Sequence, residues 1–204
     1  IPEQHEAVMK ELKENIQQLY RADSDILPSI HFGRHLYSPI ASWKEGMKYK
    51  EIKTVPLRLN EGERDFIKHL KNYLEVREKD FKDKEVFVLR NLSQKGIGFF
   101  IESSSFYPDF IIWIVEDKKQ QILFVDPKGI RETRNFNNPK VIFCRNQVKE
   151  LEARINDELK AGKTDLEVDV SAWILSVTSY KNVKKIWGST GATREEFEKN
   201  RILF

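Results

Sequence analysis

Residues 107–129 read YPDFIIWIVEDKKQQILFVDPKG and hold two apolar runs, 110–115 and 121–126, joined by the charged tip EDKKQ. Runs of that length, rich in β-branched and aromatic residues, predict two strands, and a hairpin is the simplest connection between them. Each run is tipped by an acid beside a proline. Pro108-Asp109 precedes the first, and Asp126-Pro127 closes the second, with Lys128 two residues beyond Asp126. Burying charge at the end of a core strand is expensive. The fold must therefore bring these ends to a place where something compensates them.

The surrounding pattern predicts what packs on this hairpin. Residues 3–20 carry Val8, Leu12, Ile16 and Leu19 at helical spacing, and the Pro- and Gly-punctuated stretch that follows, to Pro56, reads as an irregular connector. A second amphipathic helix follows in LNEGERDFIKHLKNYLE, with Asn60 as its N-cap. Phe66, Ile67, Leu70, Tyr73 and Leu74 share one face. Stepping about 100° per residue puts Glu63 in the middle of that stripe and Glu61 and Asp65 opposite it.

EVFVLRNL predicts a strand, and Gly96 and Gly98 a turn before the hairpin. Val148, Leu151, Ile155 and Leu159 mark a further helix ending near Gly162, and VDVSAWILSVTSY a long strand. Thr193 and Glu196 form a capping box for a short last helix, while Gly188–Gly191 reads as a connector. The order helix, three strands, helix, strand predicts an α/β fold around one mixed sheet. It divides into an N-terminal helix and connector (1–58), a core (59–183) and a C-terminal connector with a short helix (184–204).

Side chains alternate along a strand, so Asp126 and Lys128 share a face and Pro127 points to the other. Asp109 opens the neighbouring strand and lies near the end of its partner. Glu63 approaches from the side that its helix covers. Three carboxylates and one lysine thus converge at one end of a sheet. Like charges in a poorly solvated place repel, and a hard divalent cation offsets them. Two or three carboxylates, a main-chain carbonyl and waters suit Mg²⁺, and Pro127 retains its C=O for that purpose.

This layout resembles the PD-(D/E)xK nuclease superfamily. The signature is Pro108-Asp109, sixteen intervening residues, then Asp126-Pro127-Lys128, preceded by a helix bearing Glu63. More narrowly, HLYSPI, LNEGERDFIKHL, LRNLSQKGIGFF, YPDFIIW and VDPKG resemble the C-terminal endonuclease domain of type III restriction-type helicase-nucleases, over His35 to about Tyr180. The resemblance implies a restriction-endonuclease-like core that cleaves DNA with Mg²⁺ or Mn²⁺. Asp109 and Asp126 would bind the metal, Glu63 would complete its shell, and Lys128 would orient the attacking water and stabilise charge on the phosphate. It further implies an ATP-driven helicase region upstream in a parent chain, and a modification subunit as a possible partner. No Walker-type G-x-x-x-x-G-K-[ST] occurs in these residues. Asp126 stands where many members carry the longer Glu, and Pro127 is an unusual residue between the two motif positions.

Two other readings remain open: a degenerate nuclease fold that binds DNA or a partner without cutting, and a structure-selective or RNA-directed nuclease. Lys95, Arg131 and Arg134 flank the predicted site and are candidate phosphate contacts. His31 and His35, four apart with Gly33 between and no third ligand, read as ordinary histidines. Trp113 and Trp173 fall in strand patterns and read as core, and Cys144 reads as a small buried hydrophobe. As the only cysteine, it excludes an intramolecular disulfide and a multi-cysteine zinc cluster. With no membrane-length apolar run and a polar N-terminal stretch unlike a signal peptide, the expectation is a cytoplasmic protein. A net charge of +3 permits an anionic partner without demanding one.

Overall fold

The computed structural model describes residues 35–37, 59–101, 104–128, 130, 133–188 and 192–204. The predicted helix over 3–20, most of the connector after it, His31 and Arg131 lie outside the described residues. Within them the chain forms β1 (His35–Tyr37), α1 (Glu61–Val76), β2 (Glu85–Arg90), β3 (Phe99–Ile101), β4 (Ser104–Phe106), β5 (Phe110–Glu116) and β6 (Lys119–Lys128). Then come α2 (Pro139–Ile142), a π-helical turn (Phe143–Gln147), α3 (Val148–Ala161), β7 (Glu167–Ser176), α4 (Tyr180–Trp187), α5 (Arg194–Lys199) and β8 (Ile202–Leu203). The main sheet runs β1-β2-β5-β6-β7-β8 and β3-β4 form a separate ribbon. The sheet is mixed: β2-β5-β6 are antiparallel, whereas β1-β2, β6-β7 and β7-β8 are parallel.

β5 reads as a continuous apolar run because both of its faces are covered. Phe110 and Ile112 pack with Val86, Val88 and Val125 under Ile67 of α1. Ile111 turns the other way and joins Phe124 in a larger cluster with Val141, Cys144, Val148, Val183 and Phe197. The helices thus sandwich the sheet, and a strand buried on both sides has no use for alternation. Helix α1 starts where its sequence says it should. Asn60 accepts from the Glu63 amide at 2.9 Å, and the Glu63 carboxylate accepts from the Asn60 amide at 3.1 Å. This reciprocal box satisfies two amides that a helix start otherwise leaves open.

The crossover from β6 to β7 runs through α2, the π turn and α3. Strand β8 reaches only Ile174 and Leu175 of β7. Further back along β7, α3 supplies the missing partners: Asn156 accepts from the Val168 amide at 2.9 Å and donates to its carbonyl at 2.7 Å, and Glu152 accepts from the Val170 amide at 2.6 Å. Side chains of one helix therefore close an edge that would otherwise offer open backbone groups.

Several elements differ from the sequence pattern. The stretch read as irregular connector contains β1, paired with β2. The glycine turn ahead of β5 leads into the β3-β4 ribbon. The expected helix from Val148 to near Gly162 forms as α3, but a short helix that opens at Pro139 behind an Asn138 cap, and the π turn after it, precede it without a periodic signal in the sequence. The long strand stops at Ser176, whose hydroxyl donates to the Thr178 carbonyl at 2.7 Å and turns the chain towards α4, an element with no clear sequence signal. Trp113 and Trp173 are half-buried: Trp113 packs against the main core cluster, whereas Trp173 lies outside it, with the Arg201 guanidinium 4.6 Å from its ring centre. Cys144 is fully buried, as expected of a small hydrophobe, and burial pushes its thiol up to about 12. The predicted last helix forms on its Thr193–Glu196 box.

Phe110 is wholly inaccessible and its ring centre lies 5.1 Å from that of Phe66, so it locks α1 to the residue next to Asp109. Phe110→Ala is expected to cost about 3–5 kcal/mol by transfer and cavity terms. The urea midpoint measures it, and a Phe110→Leu variant is expected to lose clearly less.

Candidate active site

Pairing β5 with β6 places Phe110 opposite Val125, so Asp109 and Asp126 each lie one residue beyond the same rung of the ladder. Asp126 is 2% exposed. By alternation it shares the α3 face of β6 with Phe124 and Lys128, whereas Pro127 falls on the α1 face. There Pro127 lines a cleft with Phe66 and Leu175.

Asn91, itself buried, holds Asp109 in place. Its amide N–H donates to the Asp109 carbonyl at 2.8 Å. Its side chain donates to the Pro108 carbonyl at 2.8 Å and to the Ile97 carbonyl at 2.7 Å, and accepts from the Ile97 amide at 2.9 Å. One residue therefore binds the end of β2, the turn after it and the start of β5 into a single unit.

One oxygen of each carboxylate is left without a hydrogen bond. Asp109 Oδ2 and Asp126 Oδ1 are buried and have no hydrogen-bond donor. Burial, above all, pushes the Asp109 carboxyl up to about 8; the charge of Asp126, a hydrogen bond to it and the charge of Glu63 add to this, while Lys128 opposes it. Lys128 Nζ lies 3.4 Å from Asp126 Oδ1. Partial burial draws this ammonium down, but Asp126 and Asp109 outweigh that and hold it above its ordinary value.

Glu63 is buried and Glu61 exposed, as the helical phase predicts. The buried acid is already engaged, however. Arg90 Nη2, from the end of β2, donates to its Oε2 at 2.9 Å, and the Asn60 amide shares the same oxygen. Glu63 acts on Asp109 and Lys128 through its charge. Among the described residues, no three His, Cys, Asp or Glu side chains gather into a metal-holding group. The acid pair by itself suits a hard cation that keeps several waters, since Mg²⁺ is commonly held by only one or two carboxylates. Two buried oxygens without donors are the kind of ligand it takes.

Lys95 and Arg134 are exposed and form no ion pair among the described residues; Arg134 has a positive φ of 57°. Three residues that the sequence pattern did not single out belong to the site's surroundings: Asn91, Arg90 and Lys140. Lys140 Nζ approaches Asp126 Oδ2 at 3.7 Å, from the helical side. A signal for Lys140 was present in Asn138-Pro139-Lys140, because a lysine in a helix's first turn opposes the macrodipole and needs a reason to be there. No protein-family model, curated protein or solved structure matches the chain.

The raised Asp109 pKa has a consequence for stability. The folded chain keeps this proton where the unfolded chain, near the ordinary 3.8, has lost it, so the native state binds more protons between about pH 4 and 8. Stability of the metal-free protein is therefore expected to fall across that window as pH rises. Asp109→Asn is expected to flatten this fall and to stabilise the protein at pH 8 by at least about 1.4 kcal/mol, the equivalent of one pKa unit. Urea midpoints at pH 5 and 8 check both.

Proposed function

We propose that this chain is a metal-dependent nuclease with a restriction-endonuclease-like core, cleaving DNA phosphodiester bonds as the cutting module of a type III restriction-type helicase-nuclease. The observation that carries the reading is the pair of donorless buried oxygens of Asp109 and Asp126, next to the Lys128 ammonium, at adjoining strand ends. A stable fold has no need of two adjacent buried acids, each with an oxygen that no hydrogen bond satisfies and one of them forced to keep its proton. They make sense as ligands.

In this reading Asp109 and Asp126 hold Mg²⁺ or Mn²⁺, with the Pro127 carbonyl as a further oxygen. A metal held there would supply Lewis-acid chemistry, polarising the phosphodiester and lowering the pKa of water. Asp109 must give up its proton before it can act as a ligand. Lys128 complements the metal by orienting the attacking water and stabilising the charge that develops on the phosphate oxygens. Glu63, held by Arg90, tunes the two aspartates through its charge. Lys95, Arg131 and Arg134 take the substrate's flanking phosphates. An upstream helicase of the parent chain would supply DNA to the site, with a modification subunit as a further partner, in the cytoplasm. Among the described residues no helix is long and apolar enough to cross a membrane.

A second reading, a nuclease fold that binds DNA without cutting, is favoured by one observation: the third acid is paired with Arg90. Kinetics separate the two. Lys128→Ala is expected to leave Mg²⁺ affinity, measured by calorimetry, nearly unchanged and to slow cleavage about a hundredfold or more. Asp126→Ala is expected to weaken both. The assay uses duplex, single-stranded and branched DNA with Mg²⁺, on this chain and on its parent. Wild-type rates in Lys128→Ala would remove the lysine from the chemistry, and a wild type that binds but never cuts would establish the second reading.

A further inference from the structure

Helix α2 opens behind the Asn138 cap, whose side chain accepts from the Lys140 amide at 3.0 Å. Lys140 therefore sits in the first turn, at the positive end of the helix, where a cation is disfavoured. Its ammonium is drawn across the Phe106 ring, 5.4 Å from the centroid, to 3.7 Å from Asp126 Oδ2. Lys128 sits at the other oxygen of the same carboxylate. Two lysines from different elements thus flank one buried acid.

A lysine serving only as a structural counter-ion would sit in the interior at hydrogen-bond distance from its acid. Lys140 does neither. Its side chain is 36% exposed, the 3.7 Å separation lies beyond the hydrogen-bond range, and the ammonium makes no hydrogen bond among the described residues. Apart from the ion pair with Asp126 and the Phe106 ring, its three donors are not committed to a hydrogen bond among the described residues. Nor does the acid pair need a second lysine merely to hold a cation, since added positive charge next to Asp126 works against that. An ammonium that is half-exposed, makes no hydrogen bond among the described residues and is held within 4 Å of a proposed metal ligand is suited to an anion that arrives from solvent.

We infer that Lys140 is a second substrate-facing lysine, whose ammonium contacts a backbone phosphate of nucleic acid bound against Asp109 and Asp126, on the Asp126 oxygen opposite Lys128. The inference rests on the nuclease reading and extends it from one cation to two. Lys128 serves the reacting phosphate from the strand, and Lys140 fixes the substrate from the helix.

The test measures binding of labelled duplex and single-stranded DNA to the chain, with Ca²⁺ as the hard cation, over a series of salt concentrations, with cleavage in Mg²⁺ followed in parallel. Lys140→Ala is expected to weaken binding severalfold and to lower the slope of log K against log salt by about one, as the loss of one phosphate contact requires. Lys140→Arg is expected to restore the slope. Lys140→Gln keeps a polar chain of similar reach, and its urea midpoint is expected to match the wild type. An unchanged slope together with a lowered urea midpoint in Lys140→Ala or Lys140→Gln would make Lys140 a structural counter-ion and overturn the inference. A wild type that binds DNA without cutting, with the slope still lowered by Lys140→Ala, would defeat the cleavage reading alone. A wild type with no affinity for either DNA would defeat both.

Discussion

Two carboxylates, Asp109 and Asp126, are forced together by the β5-β6 hairpin, and much of the site's construction answers that repulsion. The ladder leaves no alternative: once Phe110 pairs with Val125, the residues just beyond that rung stand side by side. In a well-solvated place such a pair would ionise freely. Here burial makes one of them hold its proton towards neutral pH. Charge at this end of the sheet is regulated by position and not by composition, since the chain as a whole is nearly balanced between acids and bases.

The compensation is built in layers, and each layer comes from a different element. Lys128 arises from the same strand as Asp126 and shares its face. Lys140 arrives from the helix that follows. Glu63 and Arg90 form a buried ion pair, with side chains 10% and 8% exposed. A buried pair of this kind is weak evidence for stability, because desolvating both ions offsets much of their attraction. Its evident effect is to place a fixed negative charge near Asp109 while keeping that charge occupied. Asn91 adds rigidity: its hydrogen bonds hold the backbone of Pro108, Asp109 and Ile97 against the end of β2. The metal-ligand role proposed for Asp109 would need support of this kind.

The strongest periodic signals carried through to the fold. The α1 stripe (apart from an exposed Tyr73), its Asn60 cap, the hairpin and the terminal capping box are all local patterns, set by neighbours within a few residues. Short elements escaped. β1 and β8 have three and two residues, too few to show a period of two, and they exist because a sheet edge offers them hydrogen-bond partners. The short helix at Pro139, ahead of the expected α3, was hidden because it and the π turn after it pack Val141, Phe143 and Cys144 out of step with the stripe of α3. A widened turn shifts the apolar phase, so the stripe is not continuous with that of α3.

For the site itself, the sequence alone determined which acids and which lysine stand at strand ends, and that Glu63 faces inward, because strand alternation and helical phase are properties of consecutive residues. Tertiary structure alone decided that Glu63 is taken by Arg90, 27 positions away, that Lys140 reaches Asp126 from a helix, and that Asn91 clamps Asp109. It also decided the protonation of Asp109. Hydrogen-bond partners and pKa values depend on distance and burial between segments remote in sequence, and those quantities exist only once the chain has closed its core.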